Sequence, residues 1–210
     1  MRFGIFIYDG VEPIDLATFG VLSMARRIAP EIEIATIAPQ AGVVYLSNGL
    51  KAIADFGINN APSCSWIIVT GGPGWTEQAR TPTTLAYLKS AAAAGNVASV
   101  CTGAMILAAA GILDGQAATT KIEIVPPEIA PLSVMRANYP AIDTREASLV
   151  DSGTVVTGGG VSLCIDATLY LLERALGRDV ADETARILEY RRARRANASE
   201  FPMAHASARK

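Results

Sequence analysis

Short apolar runs alternate with longer stretches of helical spacing along almost the whole chain, and that alternation leaves few folds open. Residues 3–8, 33–38, 66–69, 97–100 and 154–157 read as strands. Between them, residues 15–28, 83–94, 102–110 and 161–176 carry apolar side chains at helical spacing, and a last helix is expected over 179–196. The strands are apolar on both faces, so helices must cover both sides of a mostly parallel sheet. Ser47-Asn48-Gly49, between two short apolar segments, signals a hairpin. The expectation is one doubly wound α/β domain over residues 1–196, followed by a disordered basic tail over 197–210.

Composition narrows the class. Half of the 210 residues are hydrophobic and 18% are charged, which excludes disorder and any need for a metal or disulfide to hold a core. The net charge of −2 argues against nucleic-acid binding. Six of the 18 basic groups fall in the last twenty residues, so a basic tail masks an acidic body. Cys64, Cys101 and Cys164 form an odd set without metal-ligand spacing. With no secretory leader and no apolar run long enough for a membrane span, a reducing, cytoplasmic location is expected, and no membrane partner.

In sheets of this kind ligands sit beyond the carboxyl ends of the strands, so the loops that follow strands are the ones to search. Ser99-Val100-Cys101-Thr102-Gly103 puts a cysteine where a buried strand turns into a helix, with small residues two before and two after. A tight nucleophile elbow needs that spacing, and a helix N-terminus favours the reactive thiolate. The alternative is a small buried filler. Gly71 and Gly72 can present backbone N–H groups as an anion or oxyanion site, and Gly158-Gly159-Gly160 gives a weaker signal of the same sort. Asp15 lies between Ile14 and Leu16 at a helix start. It is either a helix cap or a carboxyl whose pKa is raised by apolar neighbours into the range of a proton donor. The single histidine, His205, lies in the tail, which sets aside Cys–His hydrolysis, glutamine amidotransfer and the usual zinc and iron ligand sets.

Val69-Thr70-Gly71-Gly72-Pro73-Gly74, Ser99-Val100-Cys101-Thr102-Gly103-Ala104, Ala110-Gly111-Ile112-Leu113-Asp114-Gly115, Ala118-Thr119-Thr120 and Val156-Thr157-Gly158-Gly159-Gly160 resemble the ThiJ/PfpI superfamily. Within it they look most like the isocyanide (isonitrile) hydratases and the sensor domains of AraC-type regulators. The resemblance implies a flavodoxin-like three-layer sandwich, related to class I glutamine amidotransferases, and a homodimer. It implies Cys101 as nucleophile, Asp15 as the acid beside the sulfur, Thr102 as the hydroxyl residue after the cysteine, and Gly72 as the amide facing the sulfur. Gly71, Gly159, Gly160 and Lys121 are expected in the pocket. PfpI-type proteases carry His after the nucleophile where this chain has Thr102, and the hydratases carry His where it has Lys121. Lys121 either reshapes the pocket or points to solvent. The chain ends about a domain short of a regulator's helix-turn-helix half, so DNA binding is not expected.

The implied activity is hydration of a small-molecule isocyanide to an N-substituted formamide through a thioimidate on Cys101, with no cofactor. A redox or stress sensor in which Cys101 is oxidised, and glyoxalase-like chemistry on small dicarbonyls, are the competing readings. Exposed apolar loop residues, Tyr45, Leu46 and Trp75, are expected to serve the dimer.

Overall fold

The computed structural model describes residues 1–205. In chain order its strands are β1 (Arg2–Phe6), β2 (Glu33–Ala38), β3 (Gly42–Tyr45), β4 (Lys51–Ala54), β5 (Phe56–Gly57), β6 (Trp66–Val69) and β7 (Asn96–Ser99). There follow β8 (Ala117–Ala118), β9 (Asp143–Thr144), β10 (Leu149–Asp151), β11 (Val155–Gly158) and β12 (Ala204–His205). The helices are α1 (Ala17–Ala25), α2 (Trp75–Gln78), α3 (Pro82–Ala94), α4 (Gly103–Ala109), α5 (Pro131–Asn138), α6 (Cys164–Leu176), α7 (Arg178–Ile187) and α8 (Arg191–Glu200).

Eight strands form one sheet in the order β12-β10-β11-β7-β6-β1-β2-β5. Six of them, from β5 to β11, are parallel, and β10 runs antiparallel to β11. Sequence explains the parallel centre. Trp66, Ile67, Ile68 and Val69 of β6 are all buried, as are Phe3, Ile5 and Phe6 of β1, so neither strand has a face to give to water. Each such side chain stabilises the fold by about 1.5–3 kcal/mol on burial. The chain runs from β1 outward to β2, then returns to place β6 on the other side of β1. The loops leaving β1 and β6 therefore diverge, and a crevice opens at the carboxyl edge between them.

The C-terminal segment differs from the expected disordered tail. The helix expected over 179–196 is broken at Glu189, whose φ is +54, and resumes as α8. Asp166 of α6 accepts hydrogen bonds from the Tyr190 hydroxyl (2.7 Å) and the Asn197 amide (2.8 Å). Arg194 reaches Asp182 (2.8 Å) and Glu173 (3.2 Å). These partners, far away in sequence, hold α8 to α6 and α7, and β12 then pairs with β10 at Val150–Ala204. The rest of the expected tail, 206–210, lies outside the described residues. Among the described residues, no helix is long and apolar enough to cross a membrane.

Candidate active site

Strand β7 ends at Ser99, and two residues later Cys101 adopts φ +51 before α4 begins. A left-handed conformation costs a non-glycine residue about 1–2 kcal/mol, so its surroundings must enforce it. They do so on three sides. The Cys101 N–H donates to the Gly159 carbonyl (2.9 Å), its carbonyl accepts from the Thr120 hydroxyl (2.8 Å), and the Val100 N–H is tied to Val69 (3.0 Å). The small neighbours are steric necessities. A Cβ on Gly103 would lie 2.1 Å from the Val69 carbonyl oxygen, and one on Gly71 only 2.4 Å from the Thr102 nitrogen. The elbow read from the spacing around Cys101 is present.

Asp15 sits in a 3-10 turn, Pro13–Leu16, between β1 and α1, and is fully buried. It caps nothing: Glu12 and Leu16 occupy the cap positions of the turn and of α1, and neither makes a side-chain cap. Instead its Oδ2 accepts the Gly71 N–H (2.7 Å), while its Oδ1 has no partner among the described residues. Burial pushes its carboxyl up to about 7, with the Gly71 N–H pulling down and nearby Glu12 adding to the rise. A carboxyl that titrates near neutrality can both take and give a proton there.

Two expectations about the sulfur change. The thiolate expected at a helix N-terminus is outweighed, because burial and the Asp15 charge push the Cys101 thiol up to about 11. The Gly72 N–H, expected to face the sulfur, donates instead to Thr102 Oγ1 (2.8 Å), its φ of +138 turning the amide that way. The amides that favour the thiolate belong to Val161 and Thr102, helped by the Lys121 charge. Val161, a β-branched residue at φ +46, was not singled out from sequence. The glycine run before it marks a turn but does not say which amide turns inward.

Cys101 and Thr102 lie against a cavity of about 700 Å³ that Gly72, Pro73, Trp75, Val161 and Lys121 also line. Lys121, half-buried, therefore lines the site. Its side chain packs where a Cβ on Gly160 would sit, and its Nζ donates to the Glu123 carbonyl. Its carbonyl accepts from the Leu132 N–H (3.1 Å), closing the base of an irregular strap over 121–130 that forms one cavity wall. Of the other expected pocket residues, Gly71 and Gly159 hold Asp15 and Cys101 by backbone groups, as given above.

A doubly wound α/β protein with a cysteine on a strained elbow and a protonatable acid on the adjacent loop defines the class. By its match to the DJ-1/PfpI family over residues 1–174, the chain belongs to that family. It is 29% identical over 195 residues to isonitrile hydratase of Pseudomonas putida, covering 90% of this chain and 78% of that one. It is 30% identical over 197 residues to the HTH-type transcriptional regulator GbdR of Pseudomonas aeruginosa, covering 91% of this chain but 51% of the regulator. The chain thus spans about half the length of that relative. Among solved structures, a ThiJ/PfpI family protein from Pseudomonas syringae superposes with a TM-score of 0.78 at 22% identity, over 95% of this chain and 86% of that one.

Proposed function

We propose that the protein hydrates isocyanides, with Cys101 as nucleophile and Asp15 as proton carrier. The observation that carries this reading is the pairing of a buried acid titrating near 7 with a thiol held on an elbow at the floor of a cavity. The likeness to an isonitrile hydratase over most of both chains supports it.

The isocyanide carbon must gain a sulfur and a proton. Asp15, as carboxylate, takes the thiol proton of Cys101; the sulfur bonds to the terminal carbon, and Asp15 returns the proton to that carbon. The product is a thioimidate, R–N=CH–S–Cys101, with Asp15 a carboxylate again. Asp15 then accepts a proton from water as its oxygen attacks the same carbon. The adduct's hydroxyl proton passes to the nitrogen as collapse expels the Cys101 sulfur, Asp15 returns its proton to that sulfur, and an N-substituted formamide leaves. Each cycle adds one water to one isocyanide and consumes nothing else. Proton transfer by a placed carboxyl contributes about 10²–10⁴ in rate. Thr102 lends its N–H to the sulfur, and its hydroxyl locks the glycine loop through Gly72. The test is formamide formation from para-nitrophenyl isocyanide, lost in Cys101→Ala.

The protein works as a homodimer in this reading. Val43, Tyr45, Leu50 and Ile53 of the hairpin region, with Ile14 and Phe19, are large apolar side chains left exposed. Backbone bonds from Gly10 to Tyr45 and from Ser47 to Val11 join the hairpin to the loop leading to Ile14, and a second copy of the chain would cover these exposed groups. Two residues expected there are placed elsewhere: Leu46 is buried and Trp75 lines the cavity.

A further inference from the structure

The cavity above Cys101 is lined by one cation and three carboxylates. Cys101 lies at the floor, 2% exposed. Lys121, the single cation among the lining residues, sits close enough to the sulfur to favour its anion, and its ammonium is bonded to the Glu123 carbonyl. Three carboxylates line the same cavity: Glu12, half-buried beside the acid loop, and Glu123 and Glu128 on the exposed strap. The Trp75 ring, Ile124, Val125 and Ile129 add apolar wall. Val125 and Ile129 are each 72% exposed although they face a cavity, so apolar surface there awaits an apolar occupant.

We infer that the site takes an organic cation, a small molecule with an aromatic or branched apolar body and a protonated amine at the end remote from Cys101. The reacting end of that molecule as an isocyanide rests on the hydratase reading above; the cationic end rests on the carboxylates and does not. Exposure separates the two ends: Cys101 is buried, whereas Glu123 and Glu128 are exposed on the strap. An isocyanide carries its formal negative charge on the terminal carbon, which would meet Lys121 and the Val161 and Thr102 amides. The amine would reach Glu123 and Glu128 and could lie over the indole, where a cation is attracted by the ring face. A cleft with low-dielectric walls concentrates the field of its charges, so carboxylates at its mouth discriminate more than they would on open surface.

Three probes of one shape separate charge from fit: benzylammonium, benzyl alcohol and benzoate, titrated calorimetrically into the full-length protein. Benzylammonium should bind about tenfold tighter than benzyl alcohol at low salt, with benzoate weakest. That gap should narrow at physiological ionic strength. The Glu123→Gln/Glu128→Gln variant changes two exposed residues, and in it most of the preference should disappear. Equal or tighter binding of the alcohol or the benzoate, a preference unchanged in the variant, or no binding of any probe overturns the inference. In a parallel arm, 4-isocyanobenzylammonium, 4-isocyanobenzyl alcohol and 4-isocyanobenzoate are offered as substrates. Turnover of all three without preference for the ammonium sinks the inference and keeps the hydratase reading. Selective benzylammonium binding with no turnover of any isocyanide does the reverse.

Discussion

At Asp15 the chain buries a carboxyl completely and gives it a single backbone donor, the Gly71 N–H. Its carboxyl moves from an ordinary 3.8 up to about 7, because burial penalises the charged form. The raised folded value means Asp15 supports the fold below about pH 4 and that support is lost as pH rises through 7. Asp15→Asn keeps the acceptor for Gly71 and removes the charge. Calorimetry should therefore find the variant more stable than wild type at about pH 8, with the advantage gone at about pH 4. Turnover should still fall about 100-fold, since a carboxamide carries no proton. A variant of full rate would return Asp15 to a structural role. The pair is active with one proton shared between Asp15 and Cys101, so kcat/KM should rise through about pH 7 and fall near 11. A rate that instead drops above pH 7 would mean that both groups must be protonated. The apolar setting of Asp15 was visible in Ile14-Asp15-Leu16, as was the elbow around Cys101. The direction of the thiol shift was not, because it depends on burial and on a charge brought in from another loop.

Among the elements, the strand-to-helix turn at Cys101 tolerates least change. Gly103→Ala would push a methyl group to within 2.1 Å of the Val69 carbonyl oxygen, a backbone atom that cannot yield. Denaturant unfolding should show a loss of about 3 kcal/mol or more, or failure to fold. Gly20→Ala, within α1 where a Cβ meets nothing within 4 Å, should stabilise by about 0.5–1 kcal/mol. Equal effects at the two glycines would remove the steric account of the elbow. The central strands β1, β2, β6 and β7 and the helices α3 and α6 were legible because each is an uninterrupted apolar or periodic run. Strands β8 and β9 have two residues each and β10 has three, too short for any period to register. The strap over 121–130 has neither helix nor strand, and α8 owes its place to the Asp166–Tyr190–Asn197 bonds, which no local pattern encodes.

For the whole molecule, the parallel sheet and its crossover between β1 and β6 bring four separate loops to one edge, and the proposed chemistry uses all four. That convergence follows from strand order, and strand order was legible only as a class of fold, not residue by residue. The exposed apolar face of hairpin and α1 belongs to the same scale. Sedimentation should give a dimer at micromolar concentration, and Phe19→Glu/Ile53→Glu should give a folded monomer. A wild-type monomer would leave that face without its proposed partner. At the assembled edge an isocyanide should be converted to a formamide. Incubation with para-nitrophenyl isocyanide, followed by chromatography of the products, tests it most directly. The account predicts para-nitroformanilide equal to the isocyanide consumed, with none formed by Cys101→Ala. Isocyanide left intact by the wild-type protein, while methylglyoxal in a parallel incubation is turned into lactate, would contradict it.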